Sequence, residues 1–133
     1  MKELLTAIPY GRFLGVEIER VEAGFECVLP FREDLIGNTR LPAIHGGVVG
    51  AFLELTAMLR LIDESGIASA PRPINFSIDY LRSAGPRTTR ARADIFKLGR
   101  RIAHVHVVAW QDDYDRPVAA GNGKFLMAQV TAE

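Results

Sequence analysis

The amino-acid sequence predicts an α+β fold in which an antiparallel sheet of about six strands wraps around one long central helix. Residues 45–65 are apolar around most of a helical circumference, which indicates a buried helix rather than a surface one. Segments that alternate apolar and polar residues lie on both sides of this helix, as strands do. Small residues recur on one face of the later segments and would let a helix approach closely: Ala91, Ala93, Ala103, Ala109, Ala119, Gly121 and Gly123.

The segment before the long helix divides into a short helix, a hairpin and a loop. Residues 2–8 favour a helix, and Pro9 is expected to end it. Residues 16–21 and 25–31 read as strands separated by a turn that contains glycine, which predicts an antiparallel pair. Residues 32–44 contain Gly, Asn and Pro without a clear period, so they are predicted to form a loop.

Four further strands are predicted after the helix, over residues 74–81, 88–98, 101–111 and 117–130. Short turn segments that carry glycine or aspartate separate these strands. Because three successive tight turns join neighbouring strands, the sequence predicts that the last strands form an antiparallel meander.

The length and composition of the chain argue against several classes of protein. The 133 residues suit one domain, residues 1–133, and its net charge of zero argues against a nucleic-acid binder. A single cysteine, Cys27, excludes an internal disulfide and a cysteine-based zinc site. The longest apolar run, residues 48–59, is shorter than the roughly 20 residues that span a membrane. Residues 1–12 lack the pattern of a signal peptide, so we expect a cytoplasmic protein that does not enter a membrane.

Positive charge is concentrated in residues 82–101, which carry seven basic residues and one acidic residue, Asp94. Such a cluster suits a phosphorylated ligand, and it is equally typical of a solvated strand face. The basic residues are Arg82, Arg87, Arg90, Arg92, Lys97, Arg100 and Arg101.

Glu54 carries the only formal charge between residues 45 and 59. A lone carboxylate in a buried apolar helix is costly unless it has a partner or a function. Gly47, Gly50 and Ala51 precede it on the same helical face, so this face has room for a ligand or for the backbone of a partner chain. The alternative is a face that meets solvent at the edge of the sheet.

Gly46 and Gly47 open the helix, where free N–H groups and the positive end of the helix dipole can hold a developing oxyanion. An ordinary flexible entry to the helix is the alternative. Gly46 and Glu54 are eight residues apart, which is about 12 Å along a helix axis, so they cannot both reach one carbonyl carbon from the same helix. If both act on it, one comes from a second subunit, and catalysis requires a homodimer with antiparallel helices at the two-fold axis.

Residues 44–54, Ile-His-Gly-Gly-Val-Val-Gly-Ala-Phe-Leu-Glu, resemble the signature of hotdog-fold acyl-CoA thioesterases. The branch most similar to the chain is the phenylacetate-degradation (PaaI-like) type, and the 4-hydroxybenzoyl-CoA thioesterases are relatives. Residues 77–82, 97–101 and 121–125 add to the resemblance, which covers about residues 10–127.

The resemblance implies a hotdog fold and hydrolysis of a small or medium acyl-CoA, aromatic or aliphatic, to the free acid and CoA. It implies a homodimer, which could pair into a dimer of dimers, and no cofactor, because CoA is part of the substrate. By the family's pattern, the Gly46 N–H would polarise the thioester carbonyl, and Glu54 would act as nucleophile or general base. His45 would orient the loop or the substrate, or would only cap the helix. Asn38 or Thr39 would fill the family's polar loop position.

Two groups of residues are predicted to bind substrate. By resemblance, those that would bind the substrate or its CoA part are Gly47, Thr39, Arg82, Lys97, Leu98, Gly99, Arg100 and Arg101. Those that could line an apolar pocket for the acyl group are Phe13, Leu35, Ile36, Leu41 and Phe52.

A second predicted surface carries His104, His106 and Trp110 on one strand face. No carboxylate or cysteine alternates with the two histidines on that strand, so a subunit contact is favoured over a metal site.

Two other functions remain open. Members with Glu at the Glu54 position often carry Ser or Thr four residues later, where this chain has Met58, which keeps open a non-catalytic acyl-CoA binding or sensing module. Dehydration or hydration of an acyl thioester would typically need a catalytic His paired with an Asp or Glu elsewhere in the site, and the spacing here is that of the thioesterases.

Overall fold

A computed structural model describes residues 2–67 and 69–127, which form three helices, one short 3₁₀ turn and eight strands. The helices are α1 (Lys2–Thr6), α2 (Pro9–Leu14) and α3 (Gly46–Ser65), and the 3₁₀ turn covers Glu33–Leu35. The strands are β1 (Glu17–Val21), β2 (Gly24–Leu29), β3 (Ile36–Asn38), β4 (Ala43–Ile44), β5 (Arg72–Tyr80), β6 (Thr89–Leu98), β7 (Ile102–Trp110) and β8 (Ala119–Leu126).

The long helix α3 packs against one face of a six-stranded antiparallel sheet with the strand order β1-β2-β6-β7-β8-β5. Strands β3 and β4 form a separate two-stranded ribbon that leads into the start of α3. The predicted α+β class and the predicted central helix are both confirmed.

Small side chains on the inner face of β6, β7 and β8 allow the close approach of α3. Ala91, Ala103 and Ala109 are fully buried on this face. A Cβ added at Gly121 would lie 3.6 Å from Leu53 Cδ1 of α3, in ordinary van der Waals contact with it. Helix and sheet can therefore come together at this point because the strands supply little side-chain bulk.

The predicted meander is correct for β6, β7 and β8 and wrong for β5, which pairs with β8 at the edge of the sheet. The register places Phe76 opposite Gly123 and Ile78 opposite Gly121. A Cβ at either glycine would collide with the Phe76 ring, so β8 offers β5 a surface that fits this side chain. Residues 81–88 carry the chain from β5 across to β6.

Two segments before α3 differ from the predictions. Pro9 starts the additional helix α2, because proline suits the first turn of a helix, where its missing N–H is not needed. Residues 32–44, predicted as a loop, contain the 3₁₀ turn and the β3–β4 ribbon. The last strand was predicted to reach residue 130, and residues 128–130 lie outside the described part of the chain.

Within residues 2–67 and 69–127, no helix combines the length and apolar character that crossing a membrane requires.

Candidate active site

His45 is the N-cap of α3, and it accepts hydrogen bonds from most of the first N–H groups of the helix. Its Nδ1 accepts a hydrogen bond from the Gly47 N–H at 2.9 Å. Its carbonyl oxygen accepts bonds from the N–H groups of Val48 and Val49, at 2.9 and 3.2 Å. The Gly46 N–H finds no acceptor among the described residues. Gly46 therefore supplies the free donor at the positive end of the helix dipole.

Gly46 borders a cleft of about 400 Å³ at the start of α3. The loop between β5 and β6 forms its other wall, through Leu81, Arg82 and Ala84. The residues that line the cleft are Ala43, Ile44, Gly46, Val49, Tyr80, Leu81, Arg82, Ser83, Ala84 and Val118.

Tyr80, the last residue of β5, also borders the cleft, although it was not among the site residues predicted from the sequence. Its hydroxyl donates a 2.8 Å hydrogen bond to the Gly46 carbonyl oxygen, and its side chain is more than half exposed. A Cβ at Gly50 would lie 3.2 Å from the Tyr80 hydroxyl and 2.8 Å from Ile78 Cδ1. The space beside Gly50 is therefore filled by the chain's own strand β5 and not left free for a ligand. One feature of the sequence could have pointed to Tyr80: it lies within residues 77–82, which carry part of the family resemblance.

Glu54 lies on an open stripe of α3 that consists of Gly47, Ala51, Glu54 and Met58. Gly47 is exposed and the other three residues are half-buried. The neighbouring face of α3 is covered by α2, since a Cβ at Gly11 would lie 3.3 Å from Leu55 Cδ2.

The Glu54 carboxylate has no ion pair and no hydrogen bond within the part of the chain that the structure describes. Burial raises its pKa above the ordinary value of a glutamate, because desolvation penalises the charged form. An unpartnered carboxylate with a raised pKa on a half-open helical face has the character of a general base or nucleophile.

Asn38 and Thr39 lie in the β3–β4 ribbon, beside the start of α3. Asn38 Oδ1 accepts a 3.0 Å hydrogen bond from the Arg40 N–H, so this amide stabilises the turn that also contains Thr39. A Cβ at Gly37 would lie 2.8 Å from His45 Cδ2, which places the ribbon directly against the helix cap.

The residues predicted to bind CoA are divided between two ends of the sheet. Leu126 pairs with both Arg72 and Ile102, so the turn that contains Arg100 and Arg101 lies at the Arg72 end of β5. Arg82 follows Tyr80 at the opposite end of β5, where its Nη1 donates to the Pro117 carbonyl oxygen at 2.7 Å. The nine-residue strand β7 separates the two ends by about 30 Å. One chain alone does not bring these residues together.

Part of the basic cluster is neutralised by acidic residues of the same chain. Arg90 and Arg92 form ion pairs with Glu26 at 3.2 and 2.5 Å, and Arg87 pairs with Asp112 at 2.9 Å. The excess of positive charge counted along residues 82–101 is therefore not a continuous free surface. The acidic partners come from other parts of the chain.

The predicted second surface is partly occupied within the chain. The Phe96 ring contacts the rings of His104 and His106 with centroid distances of 5.7 Å for both. The Trp110 indole is only 7% exposed and packs against the Tyr114 ring. Among the described residues, no group of three or more side chains is placed to hold a metal ion.

The five residues predicted to line an acyl pocket differ widely in burial in the single chain. Leu35 and Phe52 are buried in the core, whereas Phe13 and Leu41 are 69% and 57% exposed and Ile36 is half-buried.

Comparison with known proteins identifies the family. Residues 38–131 match the family described as "Acyl-CoA thioesterase N-terminal domain". The medium/long-chain acyl-CoA thioesterase YigI of Salmonella typhimurium is 27% identical over 121 residues, which cover 80% of this chain and 77% of YigI. YigI of Escherichia coli K12 is 28% identical over 115 residues, with 75% and 74% coverage.

Solved structures share the fold of this chain. A Chromobacterium violaceum protein superposes with a TM-score of 0.75 at 38% identity and covers 97% of this chain and 90% of its own. A Bacillus halodurans protein whose structure was determined with CoA has a TM-score of 0.75 at 21% identity, with 98% and 91% coverage. The PaaI protein of the E. coli phenylacetic acid degradation operon has a TM-score of 0.77 at 18% identity, with 95% and 93% coverage. The family match over most of the chain and the shared fold confirm the resemblance: this chain belongs to the acyl-CoA thioesterase family of enzymes, with the hotdog fold.

Proposed function

We propose that the protein hydrolyses a small or medium acyl-CoA thioester to the free acid and CoA, with medium-chain acyl groups the first to test. The observation that carries this proposal is that two polar groups of α3 have no hydrogen-bond partner among the described residues. They are the Gly46 N–H, which lies beside a cleft, and the Glu54 carboxylate. The name of the YigI relatives, medium/long-chain acyl-CoA thioesterase, supports the choice of medium chains.

The two groups would act on the same thioester carbonyl, Gly46 at its oxygen and Glu54 in the attack on its carbon. The Gly46 N–H would donate to the thioester oxygen as negative charge develops there. As a general base, Glu54 would take a proton from water while the water oxygen attacks the carbonyl carbon, and the CoA thiolate would leave and take up a proton. As a nucleophile, the Glu54 carboxylate would displace CoA to form an anhydride, which water would then hydrolyse.

We further propose that two copies of the chain build each site. Strand β5 is last in the strand order, so one of its edges has no neighbouring strand among the described residues. Ile74 and Tyr80 on this strand are 52% and 57% exposed. Antiparallel pairing of two β5 edges about a two-fold axis would set the open stripes of two α3 helices near each other. Gly46 of one subunit could then meet the partner subunit's Glu54, as their separation along one helix requires.

The same two-fold arrangement accounts for the divided CoA residues. Antiparallel pairing of β5 places the Arg72 end of the partner beside the Tyr80 end of this chain. The partner's turn with Arg100 and Arg101 would then lie at the same end as this chain's Arg82 and Gly46. We propose that cations from both subunits bind the phosphates of one CoA.

The experiment that tests this function measures free-thiol release from a panel of aromatic and aliphatic acyl-CoA thioesters. Wild type is compared with Glu54→Gln, and Glu64→Gln serves as the matched control because Glu64 is a more exposed glutamate on the same helix. We expect turnover in wild type and in the control and a large loss in Glu54→Gln. Binding of acyl-CoA without turnover by wild type would instead support the sensing module, and a change in the acyl chain without thiol release would support a hydratase or dehydratase.

A further inference from the structure

Gln111, the first residue after β7, holds the loop between β5 and β6 through both ends of its side-chain amide. Its Oε1 accepts a hydrogen bond from the Gly85 N–H at 3.0 Å. Its Nε2 donates to the Gly85 carbonyl oxygen at 2.9 Å and lies 3.2 Å from Thr89 Oγ1. These contacts are partly buried, so water competes with them less than at an exposed site. One side chain from outside the loop thereby contacts both peptide groups of Gly85.

The loop in turn holds the chain that enters α3. Ala84 precedes Gly85 and is 4% exposed, and its carbonyl oxygen accepts a 2.8 Å hydrogen bond from the Ile44 N–H. Ile44 is two residues before Gly46, and Ala84 and Gly46 border the same cleft. A continuous series of bonds therefore runs from Gln111 through Gly85 and Ala84 to the residues that place the Gly46 N–H.

Residues 44–45, which lead into α3, have a second contact that does not involve the loop. The His45 N–H donates to the Leu35 carbonyl oxygen at 2.8 Å. The start of the loop is held independently, because the N–H groups of Leu81 and Arg82 donate to the Val118 carbonyl oxygen at 2.9 and 3.1 Å. Loss of the Gln111 contacts would thus free one part of the loop without detaching its beginning.

We infer that Gln111 is a positioning residue for the Gly46 N–H, and this inference rests on the proposed function. Within the loop, the Arg87 N–H donates to the Gly85 carbonyl oxygen at 2.7 Å, and Gln111 adds the bonds that reach Gly85 from outside the loop. A donor aimed at an oxyanion tolerates little displacement, since a shift of about 1 Å can cost roughly 10²-fold in rate. Gln111 would therefore influence the reaction without touching the substrate.

The test begins with Gln111→Met, which keeps the length of the side chain and removes its hydrogen bonds. We expect kcat to fall by about tenfold, which is less than the roughly 10²–10³-fold loss seen when an oxyanion donor is removed outright. KM should change less than kcat, because the bond to the oxyanion is made mainly in the transition state. Gln111→Glu keeps the acceptor for the Gly85 N–H but would set a carboxylate oxygen against the Gly85 carbonyl oxygen, so its kcat should fall at least as far as that of Gln111→Met. Asp112→Asn, the matched control, breaks only the neighbouring ion pair with Arg87 and should retain wild-type kcat.

A second readout does not depend on activity. Hydrogen exchange at the Ile44 amide should be protected in wild type and in Asp112→Asn and should speed up in Gln111→Met. Wild-type kcat, or unchanged exchange at Ile44, in a folded Gln111→Met would overturn the inference. If wild type shows no thioester turnover while Ile44 exchange still responds to Gln111→Met, the proposed hydrolysis fails and the link from Gln111 to the helix entry is supported.

Discussion

The Tyr80 hydroxyl, at the end of the edge strand β5, donates a 2.8 Å hydrogen bond to the carbonyl oxygen of Gly46, the first residue of α3. Thirty-four positions separate the two residues in the chain. This bond ties the edge strand to the helix end whose free N–H we assign to the reaction. A change in the position of Tyr80 at the β5 edge can therefore shift Gly46 through this hydrogen bond.

Tyr80→Phe is expected to weaken the start of α3 while the ring stays over Gly46 and Gly50. Loss of one net hydrogen bond should reduce the free energy of unfolding by about 0.5–1.5 kcal/mol, towards the lower end because the side chain is more than half exposed. The kcat for acyl-CoA hydrolysis should fall several-fold. Thermal denaturation and steady-state kinetics measure the two effects, and a variant identical to wild type in both would show that the bond contributes nothing.

Glu54 should impose an acid limb on the pH–rate profile. Burial raises its pKa, and only the ionised form can attack a carbonyl or take a proton from water. Activity should therefore fall as pH drops through a pKa that lies above the ordinary value for glutamate. The measurement is kcat/KM against pH, which reports the pKa of groups in the free enzyme, and Glu54→Gln should lose roughly 10²–10⁴-fold in kcat if general-base catalysis is its role. An acid limb at the ordinary glutamate pKa or below would contradict this assignment.

The same carboxylate should reduce stability at neutral pH. A raised pKa means that the native state binds this proton more tightly than the unfolded state. The contribution of Glu54 to stability is then fully present below the unfolded pKa and is lost as pH rises through the folded pKa. Glu54→Gln should therefore melt at or above the wild-type temperature at pH 7, and the difference should shrink in acid. Melting temperatures measured from acid to pH 7, with Glu64→Gln as the control, test the sign of the difference between Glu54→Gln and wild type.

Arg100 and Arg101 should contribute to binding of CoA and not to the chemical step. Replacing both by alanine should raise KM by roughly a hundredfold or more, because charge-assisted hydrogen bonds are worth about 1.5–3 kcal/mol each and two would be lost. The kcat should change less, since contacts remote from the thioester bind ground and transition states alike. Arg20→Ala removes another exposed arginine and is the control. Unchanged kinetics in the double variant would place the phosphates elsewhere, and a KM effect that shrinks at high salt would support exposed contacts.

Gly121→Val should destabilise the fold through β5. A side chain at this position would collide with the Phe76 ring and crowd Leu53 of α3. Overpacking of this kind typically costs about 1–3 kcal/mol, which denaturant unfolding would measure. Lys124→Val, on the exposed face of the same strand, should leave stability nearly unchanged. Equal stability of Gly121→Val and wild type would show that β5 can move away from β8 without cost.

The local pattern of the chain was enough to predict α3 and to place the candidate site residues along it. Apolar residues around the helix, the Gly46-Gly47 entry and the solitary Glu54 are all neighbours in sequence, and helix geometry alone relates their positions. The small inner face of the strands was equally visible, because alternation assigns each residue to one face of a sheet. The family resemblance rested on the same contiguous segments.

Contacts between distant segments were decided only by the tertiary structure. The sequence alone could not show that Phe76 fits against Gly121 and Gly123, and this fit accompanies the pairing of β5 with β8 instead of β6. Glu26 neutralises arginines more than sixty positions away, so a count along the chain overstated the free positive charge. The bonds from Tyr80 and Gln111 likewise join segments whose proximity depends on the packing of the whole sheet. Periodicity reports which face of an element is buried, whereas side-chain shape and hydrogen bonding between distant elements decide which elements meet.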